Sequence, residues 1–150
     1  MEFIVSKSLQ IEHDELHEEL SKIAKERGKI GDAAKAVAEV LQPHFEKEEE
    51  FALPPLGLLS SIAKGKIESE MGKILKQTVK LKADLPKMLE EHIAIVVQLK
   101  ILKDLAKKEG KLEYIRFAEK LTLHAQNEEE VLYPASILVG EYLKLVLKKR

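Results

Sequence analysis

Cysteine does not occur in this 150-residue chain, which excludes disulfides, thiolate nucleophiles and sulfur-ligated clusters. An excess of one charge is missing too: 26 acidic residues stand against 25 basic ones, a formal net charge of -1. No global basic field is therefore available to attract nucleic acid or an anionic membrane. Long apolar runs are also lacking, since stretches such as IAIVV at 93–97 fall far short of the ~18 residues of a membrane-spanning helix. The start, MEFIVSKSLQIEHDE, has neither the basic n-region nor the apolar h-region of a secretory leader. No glycine-rich phosphate loop is present, and serine has no recognisable setting beside histidine and aspartate. These absences predict a soluble, cytoplasmic protein that contacts neither nucleic acid nor membrane.

At this length a single domain over residues 1–150 is expected, one able to hide roughly 70% of its unfolded surface. Bases are almost all lysine, with only three arginines, and there is one asparagine, a mixture compatible with a heat-adapted proteome. Apolar residues recur at spacings of three and four, and β-branched alternation is scarce, so helices dominate. The first helix is expected over Ser6 to Arg27, with GKIG at 28–31 as a break and Asp32 as the next cap. The second helix then reaches Phe51, and LPPLGLLSSIAKGK at 53–66 forms a connector packed on the bundle. A third helix spans Ile67 to Lys108, with a kink or break near Pro86 because proline lacks the amide donor. EGK at 109–111 makes a tight turn, a fourth helix runs to about Tyr133, and an apolar segment, ASILVGEYLKLVL, follows Pro134. The tail LKLVLKKR reads as a basic helix end favoured by the macrodipole rather than as a membrane-surface segment.

A repeat is the strongest organising signal. HFEKEEEFALPP at 44–55 is matched by HAQNEEEVLYPA at 124–135, and each copy follows a Glu-His pair, Glu12-His13 or Glu91-His92. Two similar helical hairpins are therefore offset by 79 to 80 residues. Helical spacing puts His13 on a stripe with Leu9, Leu16, Leu20 and Ile23, and His44 with Val37, Leu41, Glu48 and Phe51. His92 shares Leu85, Met88, Ile95, Leu99 and Leu102, while His124 shares Phe117, Leu121, Glu128 and Val131. Four histidines thus face the core, one from each main helix. Glu48 and Glu128 follow their histidines by four residues and point inward as well. Glu49, Glu50, Glu129 and Glu130 fall off the stripes, on a solvated face.

A lone histidine on an apolar face is more often a hydrogen-bonded core residue than a ligand. Two carboxylates among leucines are a different matter, because each costs several kcal/mol if charged and unpaired. No lysine or arginine shares their stripes, so a bound cation resolves the conflict. Imidazole and carboxylate without sulfur suit iron, zinc, manganese or copper. Six ligands exceed the need of one tetrahedral zinc and fit two metals, each holding two histidines, with both glutamates bridging. His17, four residues after His13, sits on the shoulder of its stripe, where solvent-edge packing outweighs a seventh ligand or proton relay.

At these residues the sequence resembles the hemerythrin-like, or HHE cation-binding, four-helix bundles. The family pattern of a histidine, H-x-x-x-E, a histidine and H-x-x-x-E over successive helices is met by His13, His44/Glu48, His92 and His124/Glu128. The strings EHDEL, HFEKEEEFALPP and EEHIAIVVQL are similar as well, so the likeness covers about residues 9 to 134. It implies an all-α, up-and-down four-helix bundle with an additional C-terminal helical segment. It implies too a non-haem centre of two iron ions, oxo-bridged in the ferric form, with zinc or manganese as alternatives. In that arrangement His13 and His44 serve one metal, His92 and His124 the other. Open positions would take O2, NO or related small ligands, for sensing, buffering or iron handling, with a redox or signalling protein as partner. The alternative is a di-iron enzyme of nitrosative or oxidative stress, reducing NO or peroxide or repairing iron clusters. Oxygen-carrying members have a second histidine one turn from that of helix three and an aspartate five residues after the last histidine. Here Met88 and Val96 flank His92 and Glu129 fills the aspartate slot, which argues against a conventional oxygen carrier. The pattern is closer to the cluster-repair and NO-response branch, whose cysteine-bearing amino-terminal domain this sequence does not contain. The Glu-x-x-His mark of ferritins is not met, since Gln10, Leu41, Leu89 and Leu121 stand three residues before the histidines.

Overall fold

The computed structural model of the chain describes residues 3–148; Met1 and Glu2, and Lys149 and Arg150 of the basic tail, lie outside the described residues. Every regular element among them is helical: α1 (Lys7–Ala24), α2 (Lys29–Lys47), α3 (Leu59–Ala63), α4 (Leu75–Lys108), α5 (Leu112–Asn127) and α6 (Tyr133–Lys148). None is long and apolar enough to cross a membrane. α1 packs on α2, α2 and α5 both pack on α4, and α6 runs along α4. The result is a helical bundle.

The apolar stripes explain the packing. Leu16, Leu20 and Ile23 of α1 meet Val37, Leu41 and Phe45 of α2, Ile95, Leu99 and Leu102 of α4, and Phe117 and Leu121 of α5 in one core. Each such side chain contributes roughly 1.5–3 kcal/mol when fully buried. A second, smaller cluster comprises Phe51, Ala52, Leu81, Met88 and Tyr133. A third gathers Leu58, Met71, Ile74, Val139 and Leu143 under α6. The connector does pack, as expected: Leu53, Pro54, Pro55, Leu56 and Leu58 are buried, the last four within a 3-10 turn.

Several boundaries differ from the sequence reading. α1 stops at Ala24, and Asp32 is not the cap of α2; Gly28 holds that place, while Asp32 sits in the first turn, suited to the positive end of the helix dipole. Residues Ser69–Ile74 form a 3-10 turn ahead of α4, which begins only at Leu75. Pro86 does not break α4. It lies on the exposed flank together with Lys82, whose carbonyl loses its donor, and there water is the available substitute. The turn at 109–111 is as expected, with Gly110 at φ 67°, a conformation that costs glycine nothing. Gly140 has a packing role: a Cβ there would lie 2.2 Å from Thr78 Oγ1, so α6 can approach α4 this closely only without a side chain.

The two glutamate runs hold the main departure from a regular helix. Residues Glu48–Ala52 and Glu128–Leu132 each form a π turn, in which Leu53 N–H bonds to Glu48 O and Tyr133 N–H to Glu128 O. Both precede a proline, Pro54 or Pro134. A proline ring clashes with the carbonyl four residues back in an α-helix, and a wider turn relieves that clash. The extra residue changes which side chains face inward. Val131, expected on the inner stripe, is 53% exposed, and Tyr133 is fully buried in its place.

Candidate metal centre

All six inward residues expected from the sequence meet between the main core and the second cluster. His13, His44, His92 and His124 are 1–5% exposed, and Glu48 and Glu128 are 0% and 1% exposed. Two groups have ligand atoms within 4.8 Å of one another: His44, Glu48, His92 and Glu128; and His13, His124 and Glu128. The histidines therefore pair as His44 with His92, ring centroids 4.7 Å apart, and His13 with His124, 5.3 Å apart. The expected pairing of His13 with His44 and of His92 with His124 is corrected. His17 is exposed and joins neither group.

Each glutamate spans the two pairs. Glu128 turns Oε2 toward His124 Nε2 at 3.1 Å and His13 Nε2 at 3.5 Å, and Oε1 toward His92 Nε2 at 3.2 Å. Glu48 turns Oε1 toward His13 Nε2 and Oε2 toward His44 Nε2, both at 3.6 Å.

An outer ring of carboxylates orients the imidazoles. His44 Nδ1 donates to Glu91 Oε1 at 2.9 Å, His92 Nδ1 to Glu129 Oε1 at 3.0 Å, and His124 Nδ1 to Glu12. Glu49 approaches His13 Nδ1 less closely, at 3.7 Å. Keeping the proton on Nδ1 leaves each neutral ring with its Nε2 lone pair facing inward, the form in which histidine binds a cation. The Glu-His pairs of the sequence thus work crosswise: Glu91 precedes His92 but serves His44, and Glu12 precedes His13 but serves His124. Glu49 and Glu129 are solvent-exposed, as expected, yet lean back over the site, while Glu50 pairs with Lys80 at the surface. Lys47 bonds Glu91 at 2.8 Å and lies 3.5 Å from Asp84.

Tyr133 was not among the residues singled out by the sequence. Its hydroxyl donates to Glu48 Oε2 at 2.6 Å and lies 3.1 Å from both His44 Nε2 and His92 Nε2. The available signal was the proline that follows it, since a π turn before Pro134 carries residue 133 to the face that 131 would hold in a regular helix.

Electrostatics here follow from burying acids beside bases. Burial opposes charge on His44 and His124, but the adjacent carboxylates, Glu48 beside His44 and Glu128 beside His124, outweigh it and raise both to about 9. Burial, with the charge of Glu128 beside it, pushes Glu48 up to about 7. Burial acts on Glu128 in the same sense, yet the close approach of Glu48, His124, His13 and His92 holds it well below the usual carboxylate range. Below about pH 7 the pair accordingly divides into one carboxyl that holds a proton, Glu48, and one that does not, Glu128. Burial and the charges of Glu48 and Glu128 push Tyr133 upward, so it stays a phenol.

The fit to a cation rests on unmet hydrogen-bonding capacity. His13 Nδ1 and Nε2, Glu48 Oε1, His124 Nε2 and Glu128 Oε2 are all buried without a hydrogen-bond partner. Orphaned polar atoms of this kind are costly. A cation would satisfy the four that face inward at once, and nitrogen and oxygen donors suit first-row metals. Fold and site together define a helical bundle with a buried histidine and glutamate cluster that could hold a metal ion. Comparison with models of protein families, with curated proteins and with solved structures finds no match to this chain.

Proposed function

We propose that the chain is an up-and-down four-helix bundle of the hemerythrin-like type, carrying a non-haem di-iron centre. Its six ligands are His13, His44, Glu48, His92, His124 and Glu128. The observation that carries this reading is the aim of the two glutamates, each of which offers one oxygen to the His13, His124 pair and the other to the His44, His92 pair. Carboxylates placed in this way are built to bridge two cations, and two separate mononuclear sites would have no use for the shared aim. When bound, two iron ions supply open coordination positions for O2, NO or related small ligands, for sensing, buffering or iron handling. The chain's own residues do the rest. The outer carboxylates hold the imidazoles in register, and the surrounding leucines and phenylalanines exclude water, which strengthens each electrostatic contact inside.

Iron loading tests the reading. We expect two iron ions per chain with ligand-to-metal charge-transfer bands in the visible, both lost in Glu48→Ala and Glu128→Ala. Substoichiometric iron, or iron content unchanged in both variants, would sink it. Anaerobic mixing of the reduced form with NO should give a stable adduct. Sustained turnover with an electron donor would instead place the protein among the enzymes.

A further inference from the structure

The hydrogen bonds of the site divide unevenly between its two sides. On the His13, His124 side, His13 Nε2, His124 Nε2, Glu48 Oε1 and Glu128 Oε2 all lack a hydrogen-bond partner. On the other side one phenol engages three ligand atoms. Tyr133 donates its only proton to Glu48 Oε2, and its oxygen lies 3.1 Å from the Nε2 atoms of both His44 and His92. The repeat offers no counterpart, because the residue 80 positions earlier is Leu53, buried and apolar.

We propose that Tyr133 makes the two cation positions inequivalent, so that a divalent cation enters the His13, His124 side first and the His44, His92 side fills second and more weakly. A cation on the first side meets inward atoms that no other side chain's hydrogen bond occupies. A cation on the second side must displace Tyr133 from three atoms before it can use them. Counting residues alone argues for the reverse order, since four residues converge on the Tyr133 side and three on the other; the order of filling is therefore a discriminating observation. This inference rests on the two-metal reading above.

The test is a stepwise addition of Mn(II) to the metal-free full chain, followed by equilibrium dialysis and electron paramagnetic resonance. The signal of an isolated ion should grow to one equivalent, with the second ion binding about tenfold or more weakly, the scale of one hydrogen bond to a charged group. His13→Gln should remove the tight step, His44→Gln the weak step alone, and Tyr133→Phe should narrow the gap by a similar factor. Two ions entering together from the first addition would overturn the proposal, as would loss of the tight step in His44→Gln or an unchanged gap in Tyr133→Phe. If Tyr133→Phe does not fold, the two histidine variants still decide the order. Fewer than two ions at saturation removes the two-metal reading itself, and this proposal with it. Two ions of equal affinity removes only the proposal.

Discussion

The copies at 44–55 and 124–135 share a histidine, an inward glutamate, a π turn and a proline, yet they build different surroundings. In the first copy Phe45 follows the histidine and stacks on His13, ring centroids 4.1 Å apart and planes 12° apart; in the second, Ala125 holds that place. In the first copy the residue five after the glutamate is Leu53; in the second it is Tyr133, which reaches across to the glutamate of the first. One side of the site therefore has an apolar floor and orphaned ligand atoms, the other a hydroxyl that satisfies them. A duplicated ligand pattern does not guarantee a duplicated site, because the residues between the ligands set the hydrogen bonding.

The comparison can be broken at its apolar floor. Phe45→Ala should destabilise the protein by about 3–5 kcal/mol, read from chemical denaturation, since Phe45 is buried both in the core and beneath His13. A loss under about 1 kcal/mol would mean that the floor adds little.

Acid and alkali probe what the sides share. His44 and His124, one on each side, are both raised from 6.5 to about 9 in the folded state. A raised folded value stabilises below the unfolded one and is lost as pH rises through the folded one. The metal-free protein should therefore lose stability between about pH 6.5 and 9, on the order of 3 kcal/mol per histidine. Denaturation curves across that range should flatten by about half in His44→Gln and in His124→Gln. A steeper loss confined to one variant would show that the sides titrate differently.

The smallest expected effect lies in the outer ring. Glu91→Gln and Glu12→Gln should each weaken cation binding by roughly tenfold, on the side of His44 and His124 respectively, in a Mn(II) titration. Lys47→Ala, which removes only a partly exposed ion pair with Glu91 and Asp84, should change stability by less than about 1 kcal/mol. Equal effects from Lys47→Ala and Glu91→Gln would mean that Glu91 acts through Lys47 rather than through His44.

Much of this molecule follows from local spacing. The period of three and four residues that puts Leu16 beside His13 and Leu121 beside His124 holds within each helix and needs no knowledge of its neighbours, so the helices, their inner faces and the six inward side chains can be read from the chain. The four-residue step from His44 to Glu48 is of the same kind. The pairing of His44 with His92, the crosswise reach of Glu91 and Glu12, and the arrival of Tyr133 between two histidines are not local. They depend on how far one helix slides along another, and on a π turn that displaces Val131 and brings Tyr133 inward. Periodicity says which way a side chain points; packing between helices decides which partner it meets.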